Sequence, residues 1–233
     1  MNYLPKNLNF KEGIAYIGET SLTDVAKNYG TPLYVYDWEH LKGNIDAFTE
    51  AFGKDALFRY AAKAFISKAL VKELDEKGWG IDVVSGGEMA TVQETVGTLE
   101  NTVFNGTFKR TDEIEYFIQN NGGHISIDNR YEIEMLEKAA SSLKKKQPVI
   151  MRINLDVGAE THPMVLTSGY DQQFGISISF AEEALNQIAS SKSLLFSGIH
   201  VHIGSQIKDP ERYKLAMSSC SEFMNSNLEK VEG

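Results

Sequence analysis

The sequence predicts an α/β fold of the (β/α)8 TIM-type barrel class, incomplete at about seven βα units. Three observations lead there. Strand-like and helix-like stretches take turns along nearly all of the 233 residues. The strand-like stretches are too apolar to be half-exposed, which implies a parallel sheet covered by helices. No G-x-G-x-x-G follows the first strand, where a doubly wound sheet would carry its glycine fingerprint. A barrel of this class takes roughly 250 residues, and the chain closes with LEKVEG after the seventh predicted helix, short of an eighth strand.

The elements follow in order. LYVYD at 33–37 is β-branched and aromatic, and Leu41, Ile45, Phe48 and Phe52 then recur at helical spacing up to Gly53. LFRYAA at 57–62 reads as the second strand and 67–77 as its helix, with Gly78 placed to end it. GIDVVS at 80–85 precedes a helix from about Glu88. NTVFNG at 101–106 precedes one capped by Thr111, with Asp112 and Glu113 in its first turn. HISID at 124–128 is followed by a helix opened by Asn129 with Glu132 three residues on. PVIMRINL at 148–155 is the sixth strand, and the Ser179–Glu182 spacing is a capping box. LLFSGIHVHIG at 194–204 is the seventh, followed by Asp209 as cap and Pro210 at the first helical position.

Composition narrows the class of partner. Hydrophobic residues make up 42% and charged residues 24%, the balance of a folded protein with a sizeable core. A net charge of −9 disfavours nucleic acid or an anionic membrane surface and favours a small molecule. No apolar run approaches the ~20 residues that span a bilayer. The single cysteine, Cys220, cannot form an internal disulfide, and MNYLPKNLNF is not a secretory signal, so the expected location is cytoplasmic.

In a barrel, chemistry gathers where strands reach their C-terminal ends. Lys63 closes the second predicted strand. Asp82 and Ser85 close the third with Glu88 just beyond, Asn105 the fourth, Asp128 the fifth, Arg152 and Asn154 the sixth, and His200 and His202 the seventh. Singly, each has an ordinary reading: a solvated lysine, a carboxylate favouring a helix start, an arginine paired with an acid. Together they suit a lysine whose desolvated amine forms a Schiff base with an aldehyde. Pyridoxal phosphate supplies such an aldehyde, and an aldolase-type lysine attacking a sugar carbonyl would look the same by composition. His200 and His202, two apart on a strand, would also suit a metallohydrolase, although the other ligands of such a site are not evident.

Five motifs carry a resemblance beyond composition: RYAAKAF at 59–65, GIDVVSGGEM at 80–89, VFNGTFKRTDEI at 103–114, VIMRINL at 149–155 and GIHVHIGSQI at 198–207. In this order, and with GTPLYVYD at 30–37, the sequence resembles the N-terminal portion of the diaminopimelate decarboxylase family, in the alanine-racemase-like group of pyridoxal-phosphate enzymes. The resemblance implies that Lys63 binds the cofactor covalently, that His202 stacks on its ring, and that the catalytic residues Asp82 and Glu88 lie beside the lysine, where they orient its amine and influence its protonation. It likewise implies that Arg152 and Ser205 contact the cofactor, with no metal. The implied reaction is decarboxylation of meso-diaminopimelate to L-lysine by a homodimer of a longer chain, these residues alone being inactive. The implied organisation is an N-terminal segment, 1–30, that joins a β-rich second domain, followed by the barrel at 31–233. The general acid, phosphate loop and pyridine partner are implied to lie outside this sequence.

Two departures bear on the substrate: Gln173 stands where the family has lysine before FGI, and TSG at 167–169 differs from the usual threonine-glycine turn. The alternatives are a decarboxylase of the same group acting on ornithine, arginine or carboxynorspermidine, and a non-enzymatic barrel that carries pyridoxal phosphate.

Overall fold

The computed structural model describes residues 7–53, 55–155, 174–205 and 207–231. It divides into two compact units, Met1–Phe58 and Arg59–Gly233.

The first unit holds a three-stranded antiparallel sheet of β1 (Leu8–Lys11), β2 (Ile14–Ile17) and β3 (Thr20–Ser21), then helices α1 (Leu22–Tyr29) and α2 (Trp38–Phe52). Glu12 and Gly13 join β1 to β2 with both φ angles positive, at 51° and 81°, the backbone of the two-residue turn that matches strand twist. Ser21 caps α1 by accepting the N–H of Asp24 at 3.3 Å. Asp37 caps α2 by accepting that of His40 at 3.0 Å.

The stretch at 33–37, expected as the first barrel strand, is not a strand, and Tyr34 is 91% exposed. Its aromatic and β-branched residues suit a pleated, half-buried surface, but among the described residues no strand pairs with it. The division between units falls after Phe58, so α2 is grouped with the small sheet.

The second unit is built on strands β4 (Arg59–Ala61), β5 (Gly80–Val83), β6 (Thr102–Phe104), β7 (His124–Ile127), β8 (Gln147–Asn154), β9 (Ile176–Ser177) and β10 (Leu194–His200). The spatial order β4-β5-β6-β7-β8-β10 is parallel throughout, and the two-residue β9 pairs with the end of β8. Six long-path strands thus replace the seven expected. Among the described residues β4 and β10 do not pair, so the sheet is the open arc of a (β/α)8 barrel.

Between the strands run α3 (Lys68–Glu76), α4 (Gly86–Val96), α5 (Thr111–Gln119), α6 (Arg130–Ser142) and α7 (Ile178–Ser190), with α8 (Pro210–Val231) last. Leu70, Val71 and Leu74 of α3, Ile114, Phe117 and Ile118 of α5, and Ile133 and Leu136 of α6 bury the apolar faces that periodicity predicts. Phe104 and Phe117 meet with ring centroids 5.7 Å apart.

Side-chain caps start these helices at the strand-to-helix turns. Ser67, Ser85 and Asn129 accept the N–H groups of Leu70, Glu88 and Glu132. Asp209 accepts that of Glu211 ahead of Pro210. Thr111, expected as a cap, is the first residue of α5 instead. The Glu113 carboxylate reaches back to the Arg110 N–H at 3.3 Å. Ser179 likewise sits inside the first turn of α7, its hydroxyl engaged with that of Ser177, so the helix opens ahead of the expected box. Cys220 is buried in α8, and no described helix is long and apolar enough to cross a membrane.

Glycine at 123 answers to a close approach. A Cβ there would stand 2.4 Å from the carbonyl oxygens of Glu100 and Thr102, which are fixed backbone. Gly123→Ala is therefore expected to destabilise the protein by about 2 kcal/mol or more. Gly43→Ala, in mid-helix with nothing within 4 Å, is expected to stabilise it by about 0.5–1 kcal/mol. Urea unfolding of both variants measures the contrast.

Candidate functional site

At the C-terminal ends of the parallel strands lies a cavity of about 380 Å³ lined by Lys63, Asp82, Asn105, Arg152, His200 and His202, among others. Its size is that of a small-molecule site.

Lys63 does not close a buried strand. It sits in a single 3-10 turn, Ala62–Ala64, immediately after β4, and is exposed, while Ala62 beside it is buried. The strand therefore delivers the amine to the rim, where charge remains solvated.

Asp82 pairs in register with Ala61 of β4. Its Oδ2 accepts a hydrogen bond from Asn105 Nδ2 at 3.3 Å, whereas Oδ1 is buried with no partner among the described residues. Burial pushes the Asp82 carboxyl above the usual range, opposed by the Asn105 hydrogen bond and the charge of Lys63.

Arg152 occupies the less buried side of β8, whose residues alternate strictly between buried and half-buried. It donates to Asp128 Oδ1 at 2.9 Å, and its guanidinium lies 5.4 Å from the centroid of the Phe174 ring.

A register shift in β10 decides where His200 goes. Phe196 pairs with Val149 but Gly198 with Ile150, so Ser197 is the extra residue and His200 falls opposite Arg152. Ser126 Oγ lies 3.0 Å from His200 Nδ1. Burial first, then the charges of Arg152 and His202, lowers the His200 pKa to about 4. His202 lies past the strand end and is exposed at the cavity. Burial and then Arg152 lower its pKa as well.

Two expected site residues stand outside the lining. Glu88 Oε2 accepts the Val84 N–H at 2.6 Å, and the Glu88 N–H donates to Ser85 Oγ, so the side chain is engaged at the start of α4. Its charge still bears on Asp82. Ser205 is exposed beyond β10 and does not line the cavity. Gln173 and 167–169 lie outside the described residues.

The structure adds groups that the sequence reading did not single out for the site. Ser126 holds His200, Phe174 covers Arg152, and Lys109 with Glu132 forms a buried ion pair at 2.9 Å. Glu132 had a visible signal: it shares the buried face of α6 with Ile133, Leu136, Ala139 and Ala140, an odd place for a carboxylate. Lys109 lies in a loop, where no periodicity marks it. Among the described residues no group of three or more His, Cys, Asp and Glu side chains is arranged to hold a metal ion.

A parallel α/β barrel with a primary amine, a guanidinium, imidazoles and a buried, half-satisfied carboxylate around one cavity is of the class that seats a reactive organic cofactor. Pyridoxal phosphate fits the donor set: Lys63 offers an amine to an aldehyde, His202 a flat face, and Asp82 a carboxylate whose Oδ1 has no partner among the described residues. The chain belongs to the pyridoxal-dependent decarboxylases, residues 39–231 matching the family's pyridoxal binding domain.

It is similar to diaminopimelate decarboxylases of Zymomonas mobilis, 37% identical over 227 residues, and Aquifex aeolicus, 34% over 223 residues. These alignments cover 96% of this chain and 54% and 53% of the relatives. The solved diaminopimelate decarboxylase of M. jannaschii in complex with L-lysine superposes with a TM-score of 0.88 at 29% identity, over 97% of this chain and 54% of that one. The chain thus spans about half the length of the relatives it matches.

The His200 environment has a measurable sign. An unfolded histidine titrates near 6.5 and the native one near 4, so between these values the unfolded chain binds more protons. Its contribution is present above about pH 6.5 and is lost as pH falls toward about 4, the unfolding constant rising by at most about tenfold per pH unit. Urea titrations across that range, with the His200 ring followed by NMR, test this; a ring that protonates near 6.5 contradicts it.

Proposed function

We propose that this chain forms the cofactor-binding part of an enzyme that decarboxylates meso-diaminopimelate to L-lysine with pyridoxal phosphate. The observation that carries the reading is the convergence of Lys63, Asp82, Arg152 and His202 on one cavity at the strand ends of a chain in this family. Lys63 would hold the cofactor through its amine, His202 would cover the ring, and Arg152 would stand beside it. When bound, the cofactor supplies an electron sink for the pair left on the substrate's α-carbon as carbon dioxide departs.

The chain's own groups prepare that step. Asp82, holding a proton more readily than a solvated carboxylate, serves the Lys63 amine as a nearby proton acceptor and donor. Arg152 is tethered by Asp128, which keeps the guanidinium at the wall. His200, neutral at pH 7, adds no further positive charge beside Arg152. Glu88 acts through the backbone of the Val84 turn and the field at Asp82, and Ser205 joins the site once ligand is bound.

The substrate follows the relatives, which are named diaminopimelate decarboxylases, one of them solved with L-lysine. The same reading places the active protein in the cytoplasm as a homodimer of a longer chain, with residues 1–30 joining a second domain.

Incubation of the full-length protein with pyridoxal phosphate followed by borohydride reduction is expected to leave a single adduct on Lys63. Carbon dioxide release is expected from meso-diaminopimelate and not from ornithine, arginine or carboxynorspermidine. Lys63→Ala is expected to remove the adduct and lower turnover by roughly a thousandfold or more, the scale seen when covalent machinery is removed. Peptide mass spectrometry finding scattered label, or preferred release from ornithine or arginine, would overturn the reading.

A further inference from the structure

Among the described residues of the second unit, two deeply buried charges do not line the cavity. Lys109 and Glu132 side chains are 0% and 4% exposed, 2.9 Å apart. Lys109 Nζ also donates to the Gly106 carbonyl at 2.7 Å. Glu132 Oε2, the oxygen that receives Lys109, also accepts the Asp128 backbone N–H at 2.8 Å.

Each end of this pair therefore grips a turn that carries a cavity group. On one side, Gly106 N–H donates to Asn105 Oδ1, and Asn105 Nδ2 donates to Asp82 Oδ2. On the other, Asp128 Oδ1 receives Arg152. The connected path is Asp82–Asn105–Gly106–Lys109–Glu132–Asp128–Arg152, and it crosses from β5 to β8.

Stability alone is a poor reason for such a pair. Burial opposes the charged form of both members, lowering the Lys109 pKa and raising that of Glu132. Replacing a buried pair by apolar residues of similar volume is often neutral or favourable. What apolar residues could not supply are the two backbone hydrogen bonds that fix the turns.

We propose that Lys109 and Glu132 are positioning residues that lock the Asp82 carboxylate and the Arg152 guanidinium in a fixed relation across the cofactor cavity. This rests on the cofactor reading above, and it goes beyond it in assigning work to two residues that do not line the cavity with their charges.

The test separates the hydrogen bonds from the charge. Glu132→Gln can place its single carbonyl oxygen where Oε2 now receives both donors. Lys109→Met/Glu132→Leu removes the link and leaves no buried charge. In the cofactor-loaded protein, Glu132→Gln is expected to keep pyridoxal phosphate affinity and the visible circular dichroism of the bound cofactor close to the parent's.

The double variant is expected to unfold at or above the temperature of Glu132→Gln and still form the Lys63 adduct. It is nevertheless expected to bind pyridoxal phosphate roughly tenfold or more weakly, the scale on which outer-shell partners act, with an altered dichroic band. Should it not fold, Lys109→Met/Glu132→Gln reads the same loss.

A double variant with parental affinity and dichroism overturns the proposal, as does a loss that simply follows thermal stability across the variants. Absence of the Lys63 adduct in the parent overturns the cofactor reading, and the proposal with it. An adduct present in the parent with unchanged variants overturns the proposal alone.

Discussion

Everything at the cavity depends on six strands running the same way. In a parallel arc the C-terminal ends gather along one rim, so a residue at the end of β5 and another at the end of β8 become neighbours though about seventy residues separate them in sequence. Side chains alternate between faces, so the residue that arrives inside is fixed by register, and a shift of one would turn Asp82 or Arg152 toward the helices. The irregularity in β10 shows how finely this matters: one extra residue at Ser197 brings His200 level with Arg152.

The second constraint is the cost of taking charge out of water. Lys63, the proposed cofactor lysine, stays exposed at the rim on a short turn, while Arg152, Asp128, Lys109 and Glu132 descend into the fold and are paired at each step. Asp82 departs from this pattern, with one oxygen satisfied and the other buried without a partner among the described residues. Unsatisfied polar atoms are rare in folded interiors.

Much of the fold was legible because its signals are local and repeated. The strands at β5 through β8 announce themselves as short apolar runs, and Ser67, Ser85 and Asn129 mark the helix starts that follow. LYVYD was misread for the opposite reason: propensity describes the residues but not whether a partner strand exists, and these residues are left exposed. The strand-end rule located Lys63, Asp82, Arg152, His200 and His202. It could not separate Glu88, whose carboxylate turns back to the Val84 N–H, from residues that face the cavity. Lys109 was illegible because its meaning lies in a contact with a helix twenty-three residues away.

The hydrogen bond between Ser126 and His200 adds a tautomeric choice to the cavity. With Nδ1 committed to the hydroxyl, Nε2 is the ring nitrogen left to face other partners. If the serine donates, Nε2 carries the ring proton and His200 presents a donor; if the serine accepts, the proton resides on Nδ1 and Nε2 presents a lone pair. Rotation of one buried hydroxyl, coupled to movement of one ring proton, thus reverses the hydrogen-bonding polarity of this wall without altering its charge.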